Sequence, residues 1–118
     1  INSISYRFSG IDAPEIKQTC KKNEEVIHCG IIAKNKLVKK IGLNIPLCVQ
    51  ESIDRYNRII AECFVKNKSL SKYLVRNGYA FAYRKYSKKF IKEEEFAKEN
   101  KLGMWSMEFE YPWDFRKT

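Results

Sequence analysis

Two carboxylates, Asp12 and Glu15, lie close together in the segment GIDAPE, and their spacing could serve chemistry. Arg7 precedes this segment, and Arg58 follows a predicted turn later in the chain. Two guanidinium groups can bind a phosphate through paired hydrogen bonds. One carboxylate can hold a hard divalent cation, and the other can take a proton from water. The four residues could therefore hydrolyse a phosphate ester, or they could form ordinary surface salt bridges that are each worth little.

The charge of the chain favours a polyanionic partner. Its 118 residues include 23 Lys and Arg against 14 Asp and Glu, which gives a formal net charge of +9. A positive field of this size attracts nucleic acid first and an anionic membrane second. The alternative is a soluble domain that is merely rich in lysine. The sequence contains no apolar run long enough to cross a bilayer, so we expect no membrane span.

The acid segment follows a predicted strand. Residues 4–9 alternate, with Ile4, Tyr6 and Phe8 on one face, and this pattern turns Arg7 away from the core. Pro14 prevents a helix from starting in the acid segment. GIDAPE is therefore predicted to be a strand that runs into a tight loop.

The remaining elements predict an α+β protein. Helical periodicity covers residues 31–41, 69–77 and 88–102, and a β-hairpin lies between the first two helices. Residues 79–86 are aromatic and basic, and an aromatic tail after residue 103 is expected to pack back on the body. This order is compatible with a small Greek-key barrel that carries helices on one side, in one domain over residues 1–118.

The four cysteines allow three disulfide pairings. If residues 54–57 form the hairpin turn, Cys48 faces Cys63 across the two strands, within disulfide reach. Cys20 and Cys29 then pair by elimination. Because the sequence has no C-x-x-C motif and only one histidine, a zinc site has little support. Two disulfides are typical of an exported protein.

Four motifs, in order, resemble the staphylococcal nuclease-like (thermonuclease) family. They are YRFSGIDAPE, DRYNR, LVRNGYA and a closing E-x-x-A…G-x-W pattern formed by Glu94, Ala97, Gly103 and Trp105. The insert from Gln18 to Gly30 and the ending P-W-x-F-R, from Pro112 to Arg116, are similar to the subset found in exported bacterial proteins. The resemblance implies an OB-fold, a five-stranded Greek-key β-barrel, with three helices.

The resemblance also implies roles for the acid segment and the arginines. Asp12 matches the metal-binding aspartate, and Ala13 stands where the family has a threonine whose backbone carbonyl also contacts the metal. Glu15 matches the glutamate assigned as general base. Arg7 and Arg58 match the two phosphate-binding arginines, with Arg58 nearer the leaving group.

The aromatic, basic segment matches the nucleotide-binding part of the family. Tyr86 and Tyr83 lie where tyrosines stack on the nucleotide base, and Arg84 lies between them as a further nucleic-acid-binding residue. The alternative for the two tyrosines is core packing.

One departure concerns the metal. The family supplies a second metal-binding aspartate from a G-D-T motif on the strand before the arginine that Arg7 matches, and that motif is absent here. The chain starts with Ile1 rather than Met and contains no signal peptide, so we expect a processed product whose first barrel strand is truncated. We expect calcium rather than magnesium, bound through one direct carboxylate and therefore weakly.

The expected function is that of a metal-dependent phosphodiesterase, secreted or periplasmic and monomeric. The substrates implied by the resemblance are single-stranded DNA and RNA, with duplex DNA as a further substrate, and little sequence specificity. The alternative is a catalytically impaired OB-fold module that only binds single strands, and a third interpretation is a structural domain whose lysines keep it soluble. Replacing Glu15 with Gln separates the first two, because an enzyme would lose cleavage and keep binding.

Overall fold

The computed structural model describes residues 6–117, in which short strands and helices alternate. This arrangement confirms the α+β class predicted from the sequence. Residues 4 and 5 of the first predicted strand lie outside the described part. The elements, in chain order, are β1 (Tyr6–Phe8), β2 (Ile11–Asp12), β3 (Cys20–Lys22), β4 (Glu25–Ile27), α1 (Cys29–Ile41), β5 (Leu47–Ile53), β6 (Ile59–Val65), β7 (Lys68–Ser69), α2 (Leu70–Arg76), β8 (Phe81–Ala82), α3 (Ile91–Glu99), a 3₁₀ turn (Gly103–Ser106) and α4 (Pro112–Phe115).

The strands of residues 6–117 form three separate sheets. In the largest, β6 pairs in parallel with β1 and antiparallel with β5 and β7. The other two sheets are the antiparallel pairs β2–β8 and β3–β4. Because β2 follows β1 after only a short turn, the β2–β8 pair sets the acid segment beside the aromatic segment.

The β5–β6 hairpin has the predicted register at the end away from its turn. Leu47 faces Phe64, and Cys48 faces Cys63 with a Cα–Cα distance of 4.0 Å. The register shifts between Gln50 and Ser52, so a bulge lies between the cysteine pair and the turn and leaves that pair in place. Both predicted disulfides, Cys48–Cys63 and Cys20–Cys29, are formed in the structure.

The three predicted helices are present, although the third is shorter than expected. It runs over Ile91–Glu99 rather than 88–102, because Ser87 and Lys89 form a turn before Phe90, and Lys101 has a positive φ of 52°. In α2, the hydroxyl of Ser69 accepts a hydrogen bond from the backbone N–H of Lys72, as predicted for an N-cap. Across residues 6–117, no helix is long and apolar enough to span a membrane.

Phe8 links the sheet to the helices because its side chain packs against two buried clusters, one that includes Leu74 of α2 and one that includes Ala61 of β6. The predicted inward orientation of Tyr6 is wrong, since this residue is exposed. Ser9, predicted to face away from the core, is buried and donates a hydrogen bond to Glu51. The alternation is broken by the short length of β1, which ends at Phe8.

The predicted aromatic tail packs around Phe81, which is completely buried in β8. The ring of Phe109 stacks on Phe81 with the centroids 5.1 Å apart, and Trp105 and Tyr111 approach its edge. The same tail forms α4, a short helix with Pro112 at its first turn that the sequence patterns did not predict. The cluster thus brings the end of the chain next to the acid segment.

Candidate active site

The acid loop, residues 9–18, begins where β1 turns into β2. Gly10 has a positive φ of 74°, which glycine adopts without strain, and its carbonyl oxygen accepts a hydrogen bond from the N–H of Tyr83 at 2.9 Å. Asp12 then pairs with Phe81 in the β2–β8 ladder, and only 1% of the Asp12 residue surface is exposed. A carboxylate as buried as this requires charged or hydrogen-bonding partners.

Two arginines supply the partners of Asp12. The guanidinium group of Arg116 bonds to both carboxylate oxygens, with Nη1 at 3.1 Å from Oδ1 and Nη2 bonded to Oδ2. Arg7 lies on the same side, with its Nη2 3.6 Å from Oδ1 of Asp12 and bonded to the carbonyl oxygen of Ile11. The hydrogen bond to Asp12 raises the pKa of Arg116 above its ordinary value, although desolvation opposes that shift.

Glu15 is held by its backbone while its side chain stays half-exposed. Its N–H donates to the side-chain oxygen of Gln18, and its carbonyl accepts from the N–H of Gln18. Gly30, in the first turn of α1, lies so close that a Cβ atom there would overlap the carbonyl oxygen of Glu15. The Glu15 carboxylate is 3.9 Å from Nη1 of Arg116. The loop therefore fixes the position of Glu15 and leaves its carboxylate accessible.

Arg7 and Arg58 line one small cleft of about 270 Å³, together with Phe8, Ala13 and other residues. Arg58 begins the chain segment that leads into β6, and its Nε bonds to a carboxylate oxygen of Asp54 at 2.8 Å. Although desolvation would raise the pKa of Asp54, hydrogen bonds from the backbone and side chain of Arg58 hold it below its ordinary value. Asp54 thus fixes Arg58, and the cleft presents two guanidinium groups.

Tyr83 and Tyr86 differ in their surroundings. The ring of Tyr83 stacks on Trp113 with the centroids 5.2 Å apart and the planes 2° apart, whereas Tyr86 is exposed and meets only the edge of Tyr83 among the described rings. Trp113 in turn stacks on Tyr111. Tyr83 therefore packs against Trp113 and also lines the larger groove described next. Tyr86 keeps an exposed ring, with Nζ of Lys85 5.6 Å from its centroid.

Arg84 lies on the edge of a second, larger groove. Its guanidinium group bonds to the buried carboxylate of Glu94, with Nη2 and Oε1 3.0 Å apart. The other oxygen of Glu94 accepts a hydrogen bond from the N–H of Ala82. Arg84 and Lys85 line this groove of about 550 Å³ with Trp113. A groove with cationic and aromatic walls can hold a stretch of nucleotides.

The structure brings Arg7, Asp12 and Glu15 together and places Arg58 across the cleft. The sequence patterns do not predict the partner of Asp12, because Arg116 enters them only as the end of the P-W-x-F-R motif. The signal that could have indicated this pair is the burial of Asp12 in a strand, because a buried carboxylate requires a cation near it.

The described residues do not fit the calcium ion that the resemblance implies. Calcium takes six to eight oxygen ligands. Asp12 is already neutralised by a guanidinium group on both oxygens, and the other carboxylate of the loop, Glu15, faces the same arginine. Across residues 6–117, no three His, Cys, Asp or Glu side chains cluster in a way that could hold a metal ion.

Comparison with known proteins places most of the chain in one family. Residues 5–107 match the family model described as Staphylococcal nuclease homologue. The chain is 29% identical over 115 residues to Staphylococcal-like nuclease CAN1 of Arabidopsis thaliana, covering 95% of this chain and 33% of that protein. It is 27% identical over 107 residues to a Haemophilus influenzae protein named Uncharacterized endonuclease, covering 88% of this chain and 54% of that one.

The chain therefore spans a third to about half of the length of these curated relatives. The family model, in contrast, covers most of the chain, from residue 5, near the start of the first predicted strand, to residue 107, just after the 3₁₀ turn. The match confirms the OB-fold predicted from the motifs. The chain belongs to the staphylococcal nuclease family.

Proposed function

We propose that this domain hydrolyses the phosphodiester bonds of nucleic acids with little sequence specificity. The observation that carries the proposal is the meeting of Arg7 and Arg58 in one cleft, with Glu15 on the loop that follows Arg7. Family membership supports it, since two relatives are named as a nuclease and an endonuclease.

The two arginines would bind the scissile phosphate. A guanidinium group presents N–H donors in a planar fork that matches the oxygens of a phosphate. Asp12 and the carbonyl of Ile11 hold the guanidinium group of Arg7. Asp54 holds that of Arg58. Both guanidinium groups are therefore oriented before a phosphate binds. Negative charge that builds on the phosphoryl oxygens during attack would be stabilised by both groups.

Glu15 would act as the general base. Its carboxylate is half-exposed, so water can reach it, while its backbone is fixed by Gln18 and by the close approach of Gly30. In the reaction, the carboxylate takes a proton from water, the water oxygen bonds to phosphorus, and the bond from phosphorus to the leaving oxygen breaks. Arg58, assigned to the leaving-group side, would stabilise that oxygen.

The nucleic acid would follow the aromatic and basic segment. Tyr86 offers an exposed ring on which a base can stack, and Arg84 and Lys85 supply positive charge beside it. Neither contact reads base edges, so single-stranded DNA and RNA are both proposed as substrates, and duplex DNA is a weaker one. Binding should weaken steeply with salt, because the interaction is largely with phosphates.

Two further properties are proposed with this function. The calcium that the resemblance implies is left out of the proposed reaction, because the described residues do not fit it and no step above depends on it. A secreted or periplasmic location is supported by the two disulfides, which persist in oxidising compartments. We propose a monomer.

The test is cleavage of fluorescently labelled single-stranded DNA by wild type and by Glu15→Gln, in buffer with calcium and then with EDTA. Glutamine keeps the size of Glu15 but accepts no proton, so cleavage should fall by roughly 10²–10⁴-fold, the usual contribution of a general base. Binding, measured by fluorescence anisotropy, should be retained. Glu99→Gln, an exposed change of the same kind in α3, is the matched control and should cleave like wild type.

A second candidate function is a module that binds single strands without cleaving them. The observation that favours it is the pairing of Asp12 with Arg116, which leaves no free carboxylate on β2. If wild type and Glu15→Gln bind equally and neither cleaves in either buffer, this second function replaces the first.

A further inference from the structure

The Asp12–Arg116 pair joins residues that are 104 positions apart in the chain. The Asp12 side chain is 1% exposed and the Arg116 side chain 36% exposed, so the arginine closes the carboxylate off from solvent. A guanidinium group that meets a carboxylate through two nitrogens forms the strongest type of protein ion pair. The contact is therefore a specific closure of Asp12 rather than a loose surface pair.

Arg116 is held in place by the segment that carries it. Its backbone N–H bonds to the carbonyl of Pro112 at 3.1 Å, which continues the short helix α4. Trp113 in the same helix lies between the rings of Tyr83 and Tyr111. The carbonyl of Glu110, just before this helix, accepts a hydrogen bond from the buried side chain of Gln18. The C-terminal segment is thus anchored to the acid loop at Glu110, before the short helix, and at Arg116 itself.

The charges around Asp12 already balance. Two carboxylates, Asp12 and Glu15, face two guanidinium groups, those of Arg7 and Arg116. A divalent cation added to this group would approach two positive charges at short range, and it would have to displace a bidentate partner from a buried carboxylate. Displacing Arg116 would also break both of its hydrogen bonds to a carboxylate that is only 1% exposed.

We propose that Arg116 is the resident cation of Asp12 and excludes divalent cations from that carboxylate. A guanidinium group of the chain itself thus stands where the family resemblance predicts a metal ion. When the Arg116 side chain is removed, Asp12 becomes an accessible, under-neutralised carboxylate beside Glu15, and calcium binds there. This statement concerns cation binding, so it does not depend on whether the domain cleaves nucleic acid.

The experiment is a calcium titration of the purified chain by isothermal calorimetry, with thermal unfolding in calcium and in EDTA as a second readout. Wild type is expected to show no saturable binding at Asp12. Arg116→Ala is expected to bind calcium at least tenfold more tightly than wild type and to unfold at a higher temperature in calcium than in EDTA. The double variant Asp12→Asn with Arg116→Ala is expected to lose both effects.

Lys117→Ala is the matched control, since it removes one positive charge from the next residue, which is exposed. The calcium affinity of Lys117→Ala should equal that of wild type. An increase in calcium affinity as large as that of Arg116→Ala would mean that overall charge, and not the ion pair, controls calcium binding, and it would overturn the proposal. Equal calcium affinity of wild type and Arg116→Ala would also overturn it.

A second variant covers the case in which Arg116→Ala does not fold, as judged by circular dichroism. Arg116→Lys keeps the charge, but one ammonium group cannot occupy both carboxylate oxygens in the fork geometry of arginine. Arg116→Lys should therefore bind calcium more tightly than wild type, and an unchanged affinity would overturn the proposal.

Discussion

The side-chain amide of Gln18 donates a hydrogen bond to the backbone carbonyl of Glu110 at 2.8 Å, across 92 positions of sequence. The same side chain accepts a hydrogen bond from the N–H of Glu15, and Gln18 is completely buried. One buried amide therefore joins the acid loop to the C-terminal segment. Glu15 and Arg116, which lie on the two joined segments, are positioned together.

Replacing Gln18 with Leu should disturb both segments. The change keeps a similar volume but leaves the carbonyl of Glu110 and the N–H of Glu15 without this partner, and an unsatisfied buried group costs about 1–3 kcal/mol. We expect a lower free energy of unfolding in urea and reduced DNA cleavage. Thr19→Val, an exposed change at the next residue, is the control; a Gln18→Leu protein as stable and active as this control would contradict the role of Gln18.

A side chain at residue 30 should push the acid loop out of place. Because a Cβ at Gly30 would overlap the carbonyl oxygen of Glu15, Gly30→Ala requires the loop or the start of α1 to move. Overpacking of this kind typically costs about 1–3 kcal/mol. We expect a lower midpoint of thermal unfolding and weaker cleavage. Asn35→Ala, on the exposed side of the same helix, should lower neither, and a Gly30→Ala enzyme with full activity would show that the contact does not position Glu15.

The two disulfides should differ in their effect on activity. Loss of either should cost about 2–5 kcal/mol of stability, since each restrains the unfolded chain. The Cys20–Cys29 bond ends next to Gly30 and therefore supports the acid loop, whereas Cys48–Cys63 joins β5 to β6.

In the paired serine variants, Cys20→Ser with Cys29→Ser should lower the cleavage rate at 15 °C, measured once circular dichroism has shown that both variants are folded. Cys48→Ser with Cys63→Ser should keep that rate and lose only thermal stability. Equal losses of rate in the two variants would contradict the local role of the first disulfide.

Acid should weaken the stabilisation that Glu51 provides through its contacts with Lys89 and Ser9. Hydrogen bonds from Lys89 and Ser9 lower the pKa of Glu51, against desolvation. Because the folded-state pKa lies below the unfolded value of about 4.3, this stabilisation is present above that pH and is lost as the pH falls through the folded-state pKa. The pair is about 40% exposed, so the contribution should stay at or below about 1 kcal/mol.

Glu51→Gln should remove this dependence. Its free energy of unfolding in urea should lie below that of wild type at neutral pH and approach it as the pH falls below about 4. Glu95→Gln, an exposed change in α3, is the control. A difference between wild type and Glu51→Gln that stays constant through the acid range would contradict the assignment.

Local patterns determined much of the fold. The alternation around the hairpin set which residues face each other, so it predicted the Cys48–Cys63 bond, and the bulge near Gln50 did not move that pair. Helical periodicity placed α1 and α2 to within two residues at each end. The acid loop was predicted because glycine readily adopts a positive φ and proline fixes φ and prevents helix formation in any sequence context.

Tertiary structure decided which charges and rings meet. Nothing near Asp12 in the sequence predicts Arg116 as its partner, because that contact depends on β2 pairing with β8 and on the aromatic tail packing around Phe81. The stacking of Tyr83 on Trp113 has the same origin. Periodicity encodes which face of an element is buried, but the identity of the neighbour across that face is set only when distant segments pack together.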